Sequence, residues 1–251
     1  MRSLIFCTFF LVPVAFTVGN SGFVTEVNQN YHSKINSQIN QQITLEHQAS
    51  YLYKTYASYF GRADVALKGF KKFFSDMSKE ENDHADQLIE YVNSRGGSLQ
   101  YSNIELTSVC NKIQDEVKRT KDDLTTRGSI REGYAPLDER EYPCICYFMS
   151  QKRDELKKDP ICSMSNRDDW KNGLMAMEDA LIMERYVNEE LLALHKKAEH
   201  FGDAHLSHIL EHPFIDEQVS SIKQFADYIT RLRKFKNDYN MGEFLFDQKL
   251  Q

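Results

Sequence analysis

Five polar side chains fall where a helical repeat requires apolar ones, and their types are those that bind metal ions. Glu46 lies three residues beyond Ile43 and seven before Tyr53, while Glu81 is four beyond Met77 and His84 three beyond Glu81. Glu184 is seven beyond Met177 and three beyond Leu181, and Gln218 sits four beyond Phe214 and four before Ile222. Side chains three, four or seven apart share a helix face, so each of these is aimed with an apolar stripe toward a core. Glu-x-x-His is the spacing with which helical bundles grip a pair of iron ions, because the two side chains converge on one point. A lone buried carboxylate is costly and protonates or acquires a partner. Three of them beside a histidine repel one another unless cations are present, and two iron ions accept hard oxygen ligands plus an imidazole. Any one of these residues also fits the half-exposed edge of a stripe. That four segments each contribute one favours the metal reading.

Four long segments must position them. Apolar or small residues recur at helical spacing over 32–60 (Ile35, Ile39, Ile43, Ala49, Tyr53, Tyr56) and 64–95 (Phe70, Phe73, Met77, Ala85, Leu88, Val92). The same holds over 168–200 (Trp170, Leu174, Met177, Leu181, Leu191, Leu194) and 203–236 (Leu206, Ile209, Phe214, Ile222, Phe225, Ile229, Leu232). Gly61, Gly96-Gly97 and Gly202 punctuate them. Helices of about thirty residues with one apolar stripe each predict an all-α four-helix bundle, with Met241 to Leu250 as a short fifth helix. Beside the inward row on the second helix runs another polar row, Asp76, Glu80, Asp83 and Asp86. A solvated face and a cation-holding surface are both open to it.

The ends of the pattern carry their own signals. Arg2 precedes an uncharged run from Leu4 to Val18 and the small residues Thr17 and Gly19, which reads as a secretory signal peptide over 1–19. The run is too short for a membrane span. Residues 1–19 hold Arg2 and no acid, so their removal takes the formal charge from -6 to -7. Such an acidic chain argues against capture of nucleic acid. Residues 98–167 stand apart from the bundle, which is assigned 25–97 plus 168–251: they hold three of the five prolines and Cys110, Cys144, Cys146 and Cys162. In a secreted chain four clustered cysteines read as two disulfides, with three connectivities open. Zinc is the competing reading, weakened by the C-x-C spacing and by the lack of any His between 85 and 194.

The runs ITLEHQASYLY from Ile43, DVALKGFKKF from Asp64, KEENDHA from Lys79, DDWKNGLMAMEDAL from Asp168 and EFLFD from Glu243 resemble the ferritins. The likeness covers the chain from about residue 25 to its end, apart from the excursion. It implies that Glu46, Glu81 and His84 hold one iron, that Glu184 and the shared Glu81 hold a second, and that Gln218 and Tyr53 are near neighbours. It further implies oxidation of Fe(II) by dioxygen, storage of the product in a 24-subunit cage, and nucleation of mineral near Glu80, Asp83 and Asp86. His195, His208 and Glu211 would line the threefold channel that admits iron, with His208 in place of the usual aspartate. Met241, Leu245 and Lys249 would line the fourfold axis.

A secreted ferritin with a cysteine-bearing excursion resembles the yolk ferritins of gastropod molluscs, which implies secretion and yolk granules as the destination. The cage would be built of this chain alone or mixed with other ferritin subunits. One rival is a nutritive shell protein with weak or vestigial oxidation: the full ligand set opposes it and His208 favours it. Another is a di-iron enzyme acting on an organic substrate. Such bundles repeat Glu-x-x-His on a second helix, whereas Gln218 has Ser221 three residues on.

Overall fold

A computed structural model describes residues 26–104, 173–235 and 238–251. The signal segment expected over 1–19, the four cysteines of the excursion and Trp170 lie outside the described residues. The rest is helical. α1 is Ser33–Phe60, α2 Lys68–Ser94, α3 Gly173–His200, α4 Ala204–Ile209, α5 Asp216–Arg233 and α6 Tyr239–Leu250. No strand occurs among the described residues. No helix there is long and apolar enough to cross a membrane.

The expected bundle is present, with local corrections. The fourth segment, expected as one helix over 203–236, is interrupted by a wide turn over Leu210–Ile215. Pro213 has no N–H to give, and its ring crowds the preceding backbone. His212 accordingly takes an extended conformation at φ -134°, ψ 110°. On α2 Phe74 is fully buried, as Phe70 is. Phe73, expected in the stripe, sits at its edge and meets Phe225 and Tyr228 edge-on. α2 also begins at Lys68 rather than near 64, after a turn in which Ala66 adopts φ 54°.

α1 and α2 run antiparallel. At the end where α1 begins, Gly97 lies so close to Asn36 that a Cβ would meet Asn36 Oδ1 at 2.3 Å. Just beyond, the side-chain amides of Asn36 and Asn40 act like a strand edge. Both donate to Ser98 O at 2.9 Å, and their oxygens accept from Ser98 N and Gln100 N. At the opposite end Gly173 packs on the Phe70 ring, so α3 starts where α2 starts and runs parallel to it. The chain between α2 and α3 must therefore cross the length of a 27-residue helix, about 40 Å.

α6 closes that opposite end. Leu67 offers no side-chain cap to α2, and Asp247 Oδ1 accepts from Phe70 N at 2.9 Å instead. Glu243 Oε1 accepts from Gly173 N at 2.5 Å, and Leu174 N donates to the Tyr239 hydroxyl at 2.9 Å. One short helix thus satisfies otherwise orphaned first-turn donors of two long ones. Beneath it stack Phe60, Phe70 and Phe74, with ring centroids 5.0 and 5.7 Å apart about Phe60. This aromatic plug seals one end of the core and leaves the middle to polar residues.

Candidate metal centre

Glu46 from α1, Glu81 and His84 from α2, Glu184 from α3 and Gln218 from α5 are all buried in the middle of the bundle. Each helix contributes through its own apolar stripe, as the spacing predicts. Glu46, Glu81 and His84 bring one ligand atom each within 4.8 Å of one another. Glu81 hydrogen-bonds to Glu46 on one side and to Glu184 on the other. The Tyr53 hydroxyl donates to Glu184 Oε1, and the Gln218 side chain bonds the same carboxyl. Gln42 Nε2 donates to Glu46 Oε1 at 2.7 Å.

Glu46, Glu81 and Glu184 are 0%, 1% and 1% exposed, and His84 is grouped with Glu46 and Glu81. Burial, and then the charges of Glu184 and Glu46, push the Glu81 carboxyl well above the usual carboxylate range. Burial raises Glu184 too, against the hydrogen bonds from Tyr53 and Gln218. Burial, followed by the charges of Glu184 and Glu81, raises the Tyr53 phenol. A cation held among these groups would relieve the same cost of burial and repulsion. Three buried acceptors remain without a partner: Glu46 Oε2, Glu184 Oε2 and Gln218 Oε1. Buried acceptors are ordinarily satisfied, and three orphans around one carboxyl cluster fit ions held among them.

A second cluster adjoins the first along the seam between α2 and α5. His84 Nδ1 faces Glu81 Oε2 at 3.4 Å, while Nε2 lies 2.8 Å from Glu217 Oε2. Glu217 therefore orients the ring and leaves Nδ1 toward the carboxylates, an arrangement common behind metal-binding histidines. Glu80 hydrogen-bonds to Glu217; burial, then that contact, lifts its carboxyl to about 8. Burial also disfavours the Glu217 anion, but the bonds from Glu80 and His84 outweigh it and hold that carboxyl low. Glu80, His84 and Glu217 likewise bring ligand atoms within 4.8 Å of one another.

The second polar row does not stay together. Asp76, Asp83 and Asp86 are exposed and occupied locally by Lys72, Lys79 and Asn82, while Glu80 turns into the seam. Of the three residues expected to line the channel, His195 and Glu211 meet at 2.8 Å, whereas the His208 ring lies 5.8 Å from the His212 ring. Spacing alone missed Glu217 and Gln42. Glu217 directly precedes Gln218 and so falls off the stripe; a search for acids beside each inward ligand would have found it, as it would Glu80. Gln42 lies one turn before Glu46 on the same face. Reading stripes also missed two buried carboxylates away from the centre: Asp179, 3.4 Å from the Tyr56 hydroxyl, and Glu178, 2.7 Å from Arg233 Nη2.

The profile of the ferritin-like domain matches residues 36–155 and 116–235. Over 246 residues the chain is 46% identical to a yolk ferritin of Lymnaea stagnalis, covering 96% of this chain and 95% of that one. A soma ferritin of the same species is 34% identical over 226 residues, covering 90% of this chain and 95% of its own. With its helical bundle and a central cluster of glutamates around a histidine, the chain belongs to the ferritin family and is similar within it to gastropod yolk ferritin.

Proposed function

We propose that this chain stores iron in a hollow cage of 24 copies and oxidises Fe(II) with dioxygen at a two-iron centre inside each subunit. The observation that carries the reading is the set of three orphaned buried acceptors on Glu46, Glu184 and Gln218, gathered around Glu81. Glu46, Glu81 and His84 hold the first iron, and Glu81 with Glu184 the second. Gln218 and Tyr53 orient Glu184, and Glu217 orients His84. Two Fe(II) give up two electrons, which with two protons take dioxygen to the level of hydrogen peroxide. Similarity to a yolk ferritin supports secretion and storage in yolk. Air oxidation of Fe(II) in the purified protein should give iron that co-elutes with a 24-subunit particle. Iron precipitating apart from the protein would count against the reading.

Protons held by burial must leave when a cation arrives. Burial and the charges of Glu184 and Glu46 favour the protonated form of Glu81. Binding of a divalent cation there should release about one proton per subunit, and affinity should rise with pH. Calorimetry with Co(II) in two buffers of different ionisation enthalpy measures the release. It should fall in Glu81→Gln. No release in the parent protein would mean that Glu81 is already ionised.

The segment 98–167 we propose to be an external, disulfide-held lobe dispensable for the bundle. Ser98 to Gln100 already run pinned along α1, so the lobe begins from a fixed point. Because the ends lie about 40 Å apart, a replacement needs on the order of 15–20 residues rather than a tight loop. Such a protein should assemble and oxidise iron at the parent rate. Failure to assemble would make the lobe part of the shell.

A further inference from the structure

A carboxylate has two oxygens, and whatever holds one of them decides what is left for an ion. Glu184 Oε1 accepts from the Tyr53 hydroxyl, and Glu184 Oε2 has no partner. Glu46, on the other side of Glu81, repeats the pattern. Its Oε1 accepts from Gln42 Nε2 at 2.7 Å, and its Oε2 has no partner. Both donors come from α1, Gln42 one turn before Glu46 and Tyr53 about two turns after it. Gln42 is 3% exposed. A buried amide is costly unless it is hydrogen-bonded, and an apolar side chain would fill the same place at no such cost. What the amide holds accounts for its being there.

We propose that Gln42 is a positioning residue for the metal centre: its amide holds Glu46 Oε1 and leaves Oε2 as the one oxygen that Glu46 offers to the first iron. This rests on the two-iron reading and adds the group that aims one of its ligands. An amide nitrogen donates and cannot accept, so the contact has a single direction. Removed from bulk water, it is also stronger than the same bond at a surface. Without it the Glu46 carboxylate is free to turn about its last bond and offer either oxygen, or both. Gln42 thus stands behind Glu46 as Glu217 stands behind His84.

Co(II) binding to the full-length metal-free protein, followed by calorimetry, tests this. Gln42→Leu keeps the volume and removes the donor, while Gln42→Asn keeps the amide and draws it back by one methylene. Each should weaken Co(II) binding about 10–100-fold, with the helical circular dichroism of the parent retained. In a Glu46→Ala background the same substitutions should change the remaining affinity by less than about twofold, because the amide has no carboxylate left to hold. Damage to the helix or its packing would instead lower affinity equally with and without Glu46. Parent affinity in the folded Gln42 variants, or equal losses in the two backgrounds, would overturn the proposal. A parent protein that binds no Co(II) would overturn the metal centre itself, and this inference with it. Fe(II) oxidation enters none of these readouts, so failure of the oxidation reading would appear separately.

Discussion

Glu81→Ala is expected to remove rapid Fe(II) oxidation, by roughly a hundredfold or more, while the bundle still folds. Glu81 alone stands between Glu46 and Glu184, hydrogen-bonded to both, so its loss opens both proposed iron positions at once. Stability should not fall with activity. At 1% exposure the carboxyl is held against strong desolvation and the charges of two neighbours, and removing it relieves both. Thermal unfolding of the metal-free variant should occur at or above the parent temperature. A variant that unfolds early, or that oxidises iron at the parent rate, would show that Glu81 is a structural residue.

The largest effect on stability is expected away from the centre, at Gly69. A Cβ there would lie 1.9 Å from the carbonyl oxygen of Asp247 and 2.9 Å from its carbonyl carbon. Both are backbone atoms, so no rotamer change relieves the clash. Gly69→Ala must push α6 off the end of the bundle, costing the Asp247 bond to Phe70 N and uncovering the aromatic plug. A cost of about 3 kcal/mol is reasonable for such overpacking, or roughly 6–12 °C in Tm for a chain of this size. Differential scanning calorimetry measures it. Asp247→Ala should cost only about 1 kcal/mol, because it removes one capping bond without moving the helix. Equal losses in the two variants would place the effect in the cap rather than the close approach.

Much of this was legible in the chain because its logic is periodic. Helix spacing placed Glu46, Glu81, His84, Glu184 and Gln218 in the core, since an apolar stripe specifies direction for every residue on it. It also gave α1, α3 and the short α6 to within a few residues where they are described. What periodicity could not supply was pairing between helices. Glu80 and Glu217 each precede an inward ligand and lie off the stripe, and only the packing of α2 against α5 makes them partners. The break in the fourth segment was visible as Pro213, but the strong apolar pattern on both sides hid it. That break brings the His212 ring to 5.8 Å from that of His208, a neighbour that helical spacing did not announce. The bonds from Asp247 and Glu243 to the starts of α2 and α3 join residues far apart in sequence, and no local pattern announces them.

Stopped-flow oxidation of Fe(II) by the purified protein in aerobic buffer, followed at increasing iron-to-subunit ratios, tests the central claim most directly. A two-iron centre within each subunit predicts a fast phase whose amplitude grows up to two Fe(II) per subunit and then stops growing. A rate no faster than oxidation in buffer alone, or an amplitude that saturates at a ratio other than two, would contradict it.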